Sequence, residues 1–476
     1  MRRTKIVATL GPACNTEEMV RKLLAAGVDV FRLNFSHGRS EDRIRLIEMI
    51  RQVSSSMDRF VPIVADIQGP KLRIGDVEGT VYLKEGATFV ITTDLVPGNG
   101  LQVSTPFSRL PEEVQPGHRI LINDGLVELK VTAVDPTHVQ MLVIHGGPIS
   151  SKKGMNFPDS ELSIPAITPK DREDLTFVCQ QQLDYVAASF VRKREDIQEL
   201  RQILRSSGGE EISIIAKLEK AQAIDSLEAI IEESDGVMVA RGDLGVELPP
   251  ELVPIIQKRI LKSASQWGKF AITATQMLES MTSNSRPTRA EASDVANAIF
   301  DGSDAVMLSA ETASGAYPVE SVEMMSRIVV AAEQNRQLQL QHTRDPFRKS
   351  TEVDEFTDAL AGAANYAAEQ IDAKYIVVFT QTGLAVRLMS KFRPRAPIIG
   401  MGQSMRVARR MGILWGVIPL VVENTGEFHE QIVEKVEEVL MSKGMVRPGD
   451  RIVILMGSPI YQRSRTNLLR VHQIKG

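Results

Sequence analysis

Two apolar runs that each end abruptly in charged residues constrain the fold of this chain most strongly. The first run, SIIAKLE, covers residues 213–219, and the second, VMVARGD, covers residues 237–243. The segment between them, residues 221–233, is long enough for one crossover helix, and such a crossover joins parallel strands that lie side by side. The two runs therefore predict a β–α–β unit.

The charged ends of these runs indicate the chemistry of the unit. Residues two apart in a strand share a face, so Lys217 and Glu219 point the same way. With Asp243 on the next strand, an ammonium group and two carboxylates meet at the carboxyl ends of adjacent strands, where such sheets bind ligands. This set favours a hard divalent cation facing an anionic, phosphorylated substrate. The alternative is two buried strands that end in surface salt bridges.

Strand-like and helix-like runs alternate through most of the first 334 residues. Eight runs have the character of strands, and a helical pattern follows each of them: residues 5–10, 30–36, 60–67, 185–190, 212–219, 236–240, 270–275 and 305–310. Eight such units predict an α/β protein built on a closed, eight-stranded (β/α)₈ barrel. An open, doubly wound sheet is the alternative.

Two changes of pattern divide the chain. Between residues 70 and 165, short strands and turns rich in Pro, Gly, Asn and Asp replace the alternation. A polar segment, residues 335–352, then precedes a new α/β pattern. We therefore predict a catalytic barrel (residues 1–68 and 167–340), an inserted small β-barrel domain (69–166) and a C-terminal α/β domain (341–476).

Composition excludes several classes of function. A net charge of −4 and a pI near 6.1 indicate no general attraction to nucleic acid or to membranes. Cys14 and Cys179 are the two cysteines, too few for a disulfide framework, which is typical of a reducing cytosol. The N-terminus runs straight into a strand, and no apolar run approaches the length of a membrane span. We expect a cytoplasmic protein.

Polar residues cluster at the carboxyl ends of most of the expected barrel strands, where barrel enzymes carry their active sites. They are Arg32, Asn34, Ser36, His37, Asp66, Lys217, Glu219, Arg241, Asp243, Thr275, Ser309 and Glu311. In addition, Gly242 and Asp243 are expected to open a turn whose backbone amides can receive a carboxylate. One strand that ends this way is unremarkable, but six such strands predict an active site.

Taken together, these segments resemble the pyruvate kinase family, and the resemblance covers nearly the whole chain. The matching segments are TKIVATLGP (4–12), RLNFSHG (32–38), QGPKLR (68–73), IIAKLE (214–219), MVARGDLGVE (238–247), TATQMLESM (273–281), PTRAEASDVAN (287–297) and DGSDAVMLSAETASG (301–315). The resemblance implies a barrel, a mobile lid formed by the inserted β-domain, a regulatory C-terminal domain and a homotetramer.

The resemblance also implies an activity: transfer of the phosphoryl group of phosphoenolpyruvate to ADP, giving pyruvate and ATP as the last step of glycolysis. By position, Glu219 and Asp243 would hold Mg²⁺ or Mn²⁺, and Lys217 would neutralise the transferring phosphoryl group. Arg32 and Arg73 would contact phosphates.

The remaining implied roles concern the nucleotide and the proton. His37 and Asn34, together with Arg73, would lie near the nucleotide. Thr275 and the amides of Gly242 and Asp243 would seat the substrate carboxylate. Thr275, with Ser309 through water, would relay the proton that enolpyruvate gains. The high pKa of a hydroxyl makes it a poor acid, so it would pass a proton on and not be its source.

Lys71 departs from the family pattern, in which many members carry glutamate and require a monovalent cation. That cation would lie among Asn34, Ser36, Asp66 and the backbone of Ile67. A lysine near the same place can replace the ion electrostatically and repel it. We therefore expect that K⁺ is not required. The alternative is a lysine of the lid hinge that points to solvent.

The C-terminal domain carries a second departure. Thr380, Gln381, Thr382 and Gly383 resemble the family's phosphate-binding loop for sugar-phosphate effectors. Leu384 and Ala385 replace the basic and hydroxyl residues that usually follow. We expect a phosphorylated sugar or nucleotide as effector, and a bare strand–helix turn is the alternative.

Two competing functions remain open from the sequence. A metal-dependent barrel aldolase or mutase acting on pyruvate-like enolates would share the carboxylate pair, but it would not need a lid or an effector domain. The other is a metabolite sensor built on an enzyme fold that has lost its activity. Loss of Lys217, Glu219 or Asp243 would have favoured this sensor, and all three residues are present.

Overall fold

The computed structural model describes residues 2–36, 38–335, 355–422, 429–457 and 466–475. Within residues 2–335, eight parallel strands close into a barrel in which each strand pairs with its neighbours in sequence and the last pairs with the first. The strands are Lys5–Leu10, Val30–Asn34, Ile63–Asp66, Tyr185–Ala188, Ser213–Leu218, Gly236–Ala240, Phe270–Ala274 and Ala305–Leu308. The predicted (β/α)₈ barrel is confirmed, and the open sheet is excluded.

The barrel strands are apolar on both faces because both faces are covered. In the first strand, Ile6 and Ala8 pack outward against the helices, whereas Val7 packs inside the barrel. Strands of a parallel sheet that is buried on both faces have continuous apolar sequences, so polar residues at the strand ends are easily recognised.

Helices surround the barrel, and their start signals are those expected from the sequence. The Thr168 hydroxyl accepts from the amide of Asp171 in a capping box, and Thr288 does the same with Glu291. The predicted crossover helix is interrupted at Ser226. The helices are Glu17–Ala26, Ser40–Ser56, Pro169–Gln180, Arg194–Ser206, Ala221–Asp225, Leu227–Glu233, Arg241–Glu247, Val253–Gln266, Arg289–Phe300, Ala310–Ala313 and Pro318–Gln334.

The inserted β-rich segment has its own core, separate from that of the barrel. Its strands form a six-stranded sheet and a two-stranded ladder, with one four-residue helix, Leu110–Glu113. The strands are Thr80–Leu83, Thr88–Thr92, Gln102–Ser104, Arg119–Ile122, Val127–Val134, His138–His145, Gly147–Ser150 and Met155–Asn156. We call this segment the lid.

The C-terminal domain is a five-stranded sheet in which only the edge strand, Thr466–Gln473, runs antiparallel to its neighbour. The other strands are Tyr375–Thr380, Ile398–Gly402, Val417–Val421 and Arg451–Gly457. The helices are Glu355–Gln370, Leu384–Lys391, Met405–Met411 and His429–Ser442. The exact domain boundaries stay predictions. In the part of the chain that the structure describes, no helix combines the length and the apolar character that crossing a membrane requires.

The C-terminal domain packs against the amino-terminal end of the barrel. The buried ammonium of Lys5 donates to the carbonyl of Val417 at 2.8 Å, and the hydroxyl of Tyr185 donates to the carbonyl of Arg410 at 2.7 Å. The carboxyl ends of the barrel strands therefore face away from this interface and toward the lid.

Candidate active site

A buried ionic cluster lies where the second, third and fifth barrel strands end. The guanidinium of Arg32 donates to one oxygen of Asp66 at 2.6 Å, and the ammonium of Lys217 pairs with the other at 3.2 Å. Asp66 belongs to a strand that lies next to the strand of Arg32. The structure thus brings together three residues that the sequence places far apart.

Glu219 extends this cluster on the other side of Lys217. Its carboxylate is buried, pairs with the Lys217 ammonium at 2.9 Å and accepts from the amide of Phe190 at 2.7 Å. The sequence analysis missed Ser189, whose hydroxyl accepts from Lys217 at 2.8 Å. A polar residue directly after the fourth strand was the signal that could have identified it.

Ion pairing favours the charged forms of Asp66 and Lys217 against the cost of burial. Burial disfavours the carboxylate of Asp66, but Arg32 and Lys217 outweigh it and lower the pKa of Asp66. Burial also disfavours the ammonium of Lys217, yet Asp66 and Glu219 raise the pKa of that lysine above its usual range. Lys217 is therefore a permanent positive charge at the mouth of the barrel.

Asp243 lies in the first turn of the short helix Arg241–Glu247, so the expected turn after the sixth strand is wrong. The helix forms although it contains two glycines, because it packs against the sixth strand and the helix Val253–Gln266. A carboxylate in a first helical turn is favoured by the helix dipole. Asp243 keeps its side chain 28% exposed and so remains open to a ligand.

Glu219 and Asp243 fit the demands of a divalent cation. Burial raises the pKa of Glu219, and the charge of Asp243 raises it further, while Lys217 opposes both. Two carboxylates that repel each other at a partly buried position are stabilised by a cation between them. The described residues hold no group of three or more His, Cys, Asp or Glu side chains suited to a metal. Substrate or water oxygens would therefore complete the coordination, as is usual for Mg²⁺.

Lys71 takes a place that differs from the expected one. Its ammonium lies 3.6 Å from the carboxylate of Asp243 and 3.9 Å from that of Asp124 in the lid. In the described part of the chain, no ion pair or hydrogen bond joins Lys71 to Asn34, Ser36 or Asp66. The backbone of Arg73 forms an antiparallel bridge with that of Gly154, so the segment that carries Lys71 is paired with the rest of the lid.

The residues expected around a monovalent cation make hydrogen bonds to one another and to Ser189. The side-chain oxygen of Asn34 accepts from the amide of Ser36 at 3.0 Å. The carbonyl of Ile67 accepts from the hydroxyl of Ser189 at 2.7 Å. His37, expected near the nucleotide, lies outside the described residues.

Thr275 and Ser309 follow the seventh and eighth strands. The hydroxyl of Thr275 accepts from the amide of Gly242 at 2.7 Å and donates to the carbonyl of Ala274 at 2.6 Å. The hydroxyl of Ser309 is buried and has no hydrogen-bond partner within the described residues. A buried hydroxyl without a partner is suited to bind a water molecule.

The lid borders the barrel mouth across a cleft of about 710 Å³. Lys71 and Asp124 line its lid side, and Gly242, Asp243 and Gln276 line its barrel side. Arg73, expected at the phosphates, lies in the lid and donates to the carbonyl of Lys152 at 2.9 Å. The structure therefore leaves Arg73 outside the cluster around Lys217.

The loop Thr380–Gly383 lies at the other end of the barrel. Gly383 has a φ of +94°, and its amide donates to the hydroxyl of Thr380 at 2.8 Å. Gln381 is exposed, and Leu384 begins the next helix. A cavity of about 230 Å³ separates this loop from the barrel, and it is lined by Tyr185, Ser213, Thr382, Gly383, Arg387 and Arg410, among others.

Comparison with known proteins gives a consistent result over the whole chain. Residues 1–322 match the family model "Pyruvate kinase, barrel domain", and residues 358–472 match "Pyruvate kinase, alpha/beta domain". A pyruvate kinase of Clostridium acetobutylicum is 42% identical over 100% of both chains. A pyruvate kinase of Geobacillus stearothermophilus is 43% identical over 99% of this chain and 80% of its own length. A crystal structure of a pyruvate kinase from Cryptosporidium parvum superposes with a TM-score of 0.91 at 36% identity, covering 99% of this chain and 96% of the other.

Proposed function

This chain belongs to the pyruvate kinase family of glycolytic phosphotransferases, and from this premise we propose that it transfers the phosphoryl group of phosphoenolpyruvate to ADP, giving pyruvate and ATP. The observation that carries the proposal is the permanently charged Lys217 between Asp66 and Glu219 at the barrel mouth.

The test is a coupled assay for pyruvate from phosphoenolpyruvate with Mg²⁺, run with and without ADP. We expect pyruvate only when ADP is present, with ATP formed in equal amount. Pyruvate and inorganic phosphate formed without ADP would indicate hydrolysis and contradict the proposed transfer, whereas cleavage or rearrangement of a pyruvate-like enolate would support the aldolase or mutase alternative.

Lys217 and Arg32 are proposed to stabilise the phosphoryl group during transfer. Phosphoryl transfer depends on positioning and on neutralising the charge of the equatorial oxygens. The ion pairs with Asp66 fix both cations before substrate arrives, so little reorganisation is needed.

Glu219 and Asp243 are proposed to hold the divalent cation, Mg²⁺ or Mn²⁺, which supplies further positive charge to the phosphoryl and enolate oxygens. Glu219→Gln and Asp243→Asn each remove an anionic ligand, so we expect weaker Mn²⁺ binding by electron paramagnetic resonance and a severe loss of turnover. Normal Mn²⁺ affinity in both variants would remove this assignment. The amides of Gly242 and Asp243, with Thr275, are proposed to seat the substrate carboxylate, for which the Gly242 amide would exchange its present hydrogen bond to the Thr275 hydroxyl.

Thr275 and Ser309 are proposed to relay the proton to enolpyruvate through water. The unpartnered hydroxyl of Ser309 supports a water at this position. The hydroxyl of Thr275, held by the Gly242 amide, supports a fixed end of the relay.

Lys71 is proposed to replace the monovalent cation, so that K⁺ is not required. The lysine lies beside Asp243 and not among Asn34, Ser36 and Asp66, yet it still adds a fixed positive charge to the mouth of the barrel. At short range in a partly buried site, this charge acts on the same phosphoryl group and repels a second cation. Arg73 of the lid, together with Asn34 and His37, is proposed to approach the nucleotide.

The loop Thr380–Gly383 is proposed to bind a phosphorylated sugar or nucleotide as allosteric effector. The loop directly precedes the helix Leu384–Lys391, and backbone amides at a helix N-terminus can bind phosphate. Arg387 and Arg410 line the adjoining cavity. Leu384 and Ala385 have no basic or hydroxyl side chain for a second phosphate group, so a monophosphate is favoured over a bisphosphate. A homotetramer in the cytoplasm, without nucleic-acid or membrane partners, remains the expectation from the family and from composition.

A further inference from the structure

Arg241 makes an unusual set of contacts directly after the sixth barrel strand. Its guanidinium donates to the carbonyl of Thr275 at 2.8 Å and to that of Gln276 at 3.3 Å. It also pairs with the carboxylate of Asp294 at 2.7 Å, and its side chain is only 10% exposed. One buried cation therefore joins the end of the sixth strand to the segment that follows the seventh.

The segment that Arg241 holds has a strained backbone. Thr275 has a φ of +66° and Gln276 a φ of +53°, so two consecutive residues other than glycine adopt the left-handed conformation. For the β-branched Thr275 this conformation is a genuine outlier. Such a conformation persists only where surrounding contacts determine it, and it concentrates at functional sites.

Strand pairing does not supply these contacts. The ladder between the sixth and seventh strands ends at the pair Ala240 and Ala274, one residue before the strain begins. Beyond that pair, the guanidinium of Arg241 binds the carbonyls, and the amide of Gly242 binds the hydroxyl of Thr275. Two consecutive residues thus fix both the backbone and the side chain of Thr275.

We propose that Arg241 is a positioning residue that holds Thr275 in its left-handed conformation and so fixes the position of its hydroxyl at the carboxyl end of the barrel, where proton transfer is proposed. The proposal rests on the proposed role of Thr275 in protonating enolpyruvate. Arg241 acts through the backbone of Thr275, since its guanidinium binds protein carbonyls and the carboxylate of Asp294. Loss of the guanidinium lets Thr275 relax, whereas no hydrogen bond or ion pair between described residues joins Arg241 to Lys217 or Glu219.

The predicted consequence is a selective defect. Proton transfer at the methyl group of pyruvate should fall more than phosphoryl transfer, because Lys217 and Glu219 are held by contacts that do not involve Arg241. Weaker seating of the substrate carboxylate by Thr275 should appear as a higher KM in both reactions. A positioned proton-transfer group contributes on the order of 10²-fold or more. We expect Arg241→Lys and Arg241→Ala to slow proton transfer at least about tenfold more than phosphoryl transfer.

The experiment compares two rates in the full-length protein with Mg²⁺. One is ATP formation in a single turnover, with the enzyme in excess over phosphoenolpyruvate and ADP present, since this step precedes protonation. The other is exchange of the methyl protons of pyruvate with deuterated water, followed by nuclear magnetic resonance. Guanidinium ion added to Arg241→Ala should restore exchange, since it can refill the vacated position. Circular dichroism establishes folding, and if Arg241→Ala does not fold, the ratio of the two rates in Arg241→Lys decides.

Arg59 provides a matched control at the opposite end of the barrel. Its guanidinium also binds two carbonyls, those of Leu24 at 2.6 Å and Val28 at 2.9 Å, and the carboxylate of Asp29 at 3.5 Å. Arg59→Ala removes the same kind of contacts far from Thr275, so the ratio of the two rates should stay at the wild-type value.

Two outcomes overturn the proposal: an equal loss of both rates in the Arg241 variants, or a ratio in Arg59→Ala that shifts as much as theirs. If the wild type itself forms no ATP from phosphoenolpyruvate and ADP, the proposed function fails instead, so the two failures are distinguishable.

Discussion

Both ends of the barrel carry buried ionic groups, but the two ends differ in what those groups face. At the amino-terminal end, the fully buried carboxylate of Asp184 accepts from Arg51 at 2.7 Å, Arg409 at 3.0 Å and the amide of Ile63 at 2.9 Å. Both of its oxygens are engaged, and Arg409 comes from the C-terminal domain. Protein therefore surrounds this carboxylate on both sides, although a cavity of about 230 Å³ lies at the same end of the barrel.

At the carboxyl end, the groups are only partly satisfied by protein. Asp243 is held by a single long ion pair with Lys71 and borders the cleft, and the hydroxyl of Ser309 has no partner among the described residues. Shifted pKa values occur at both ends and so do not distinguish them. Burial raises the pKa of Asp304, next to the C-terminal domain, and also that of Glu219 at the carboxyl end. Buried hydroxyls without a described partner occur at both ends, Ser309 at one and Thr4 at the other, so the candidate active site is distinguished by a partly exposed carboxylate, Asp243, that borders an open cleft.

The largest expected effect is that of Lys217→Met at the open end. Loss of this charge should slow phosphoryl transfer on the order of 10³-fold or more, by analogy with other catalytic cations. Methyl-proton exchange of pyruvate should fall less, because the lysine is assigned to the phosphoryl group. Steady-state ATP formation and proton exchange measure the two steps. Equal loss in both would show that the assigned role is wrong.

Asp184→Asn is the corresponding test at the amino-terminal end. It leaves Arg51 and Arg409 without their shared carboxylate, and breaking a buried pair destabilises a protein by about 3 to 5 kcal/mol. Denaturant unfolding should show this loss, while turnover per folded molecule should change little.

The matched control for that test is Asp58→Asn. Asp58 also pairs across the domain interface, with Lys443 at 2.8 Å, but its side chain is 77% exposed. An exposed pair contributes at most about 1 kcal/mol. A similar loss of stability in both variants would contradict the distinction between buried and exposed pairs.

The pH dependence of the free energy of unfolding, compared between Lys5→Met and wild type, tests the amino-terminal end of the barrel. Burial lowers the pKa of Lys5 to about 8 from 10.5, so between these values the unfolded chain binds more protons than the folded one. Wild-type stability should therefore rise with pH in this window, by about 3 kcal/mol from this group. The variant lacks this rise, so its stability relative to wild type should be highest below pH 8 and should decrease toward pH 10.5. Unfolding at several pH values, with the exposed Lys22→Met as control, measures the difference. A constant difference between Lys5→Met and wild type would contradict the expectation.

Lys71→Glu returns the open end to the family's usual residue. We expect full wild-type activity with Mg²⁺ and no K⁺, and a roughly tenfold stimulation of the variant by K⁺, equivalent to ~1.4 kcal/mol. Chloride salts of K⁺ and of tetramethylammonium are compared at fixed ionic strength, because screening alone shifts rates. Lys152→Glu makes the same charge change at an exposed position of the lid. Strong stimulation of the wild type by K⁺ alone would refute the proposal.

Thr382→Ala is expected to have the smallest effect. It tests whether effector binding at the loop Thr380–Gly383 is coupled to activity at the carboxyl end of the barrel. Loss of one hydroxyl from the loop should reduce activation by a sugar monophosphate about fivefold, equivalent to ~1 kcal/mol. Thr382→Ser keeps the hydroxyl and should retain activation. A panel of sugar phosphates, assayed on the three proteins, provides the measurement. Identical responses in all three would place the effector elsewhere.

Local patterns predicted the regular elements well where they are long and apolar. The strands Lys5–Leu10 and Gly236–Ala240 have the predicted bounds. The helix Arg241–Glu247 was expected as a turn, because its glycines are poor helix formers and its stability comes from packing. Three lid strands of two to four residues were missed, since such short runs carry no readable period.

The candidate site was predicted in part. Arg32, Asp66, Lys217 and Glu219 lie together as the strand ends indicated. The partners of Lys71 were not predicted, because they depend on how the lid hinge crosses the barrel mouth. The left-handed conformation of Thr275 has no local signal either, since neither Gly nor Asn occupies the position.

The sequence by itself determined the eight β–α units and the polar ends of their strands, because those features depend on a period of a few residues and on burial of apolar faces. Only the tertiary structure decided which charges meet. Asp66 pairs with Lys217 across 151 positions of sequence, and Asp184 with Arg409 across 225. Barrel closure and domain docking set those pairs, since charges so distant in sequence interact only where strand register and domain packing bring them within a few ångströms.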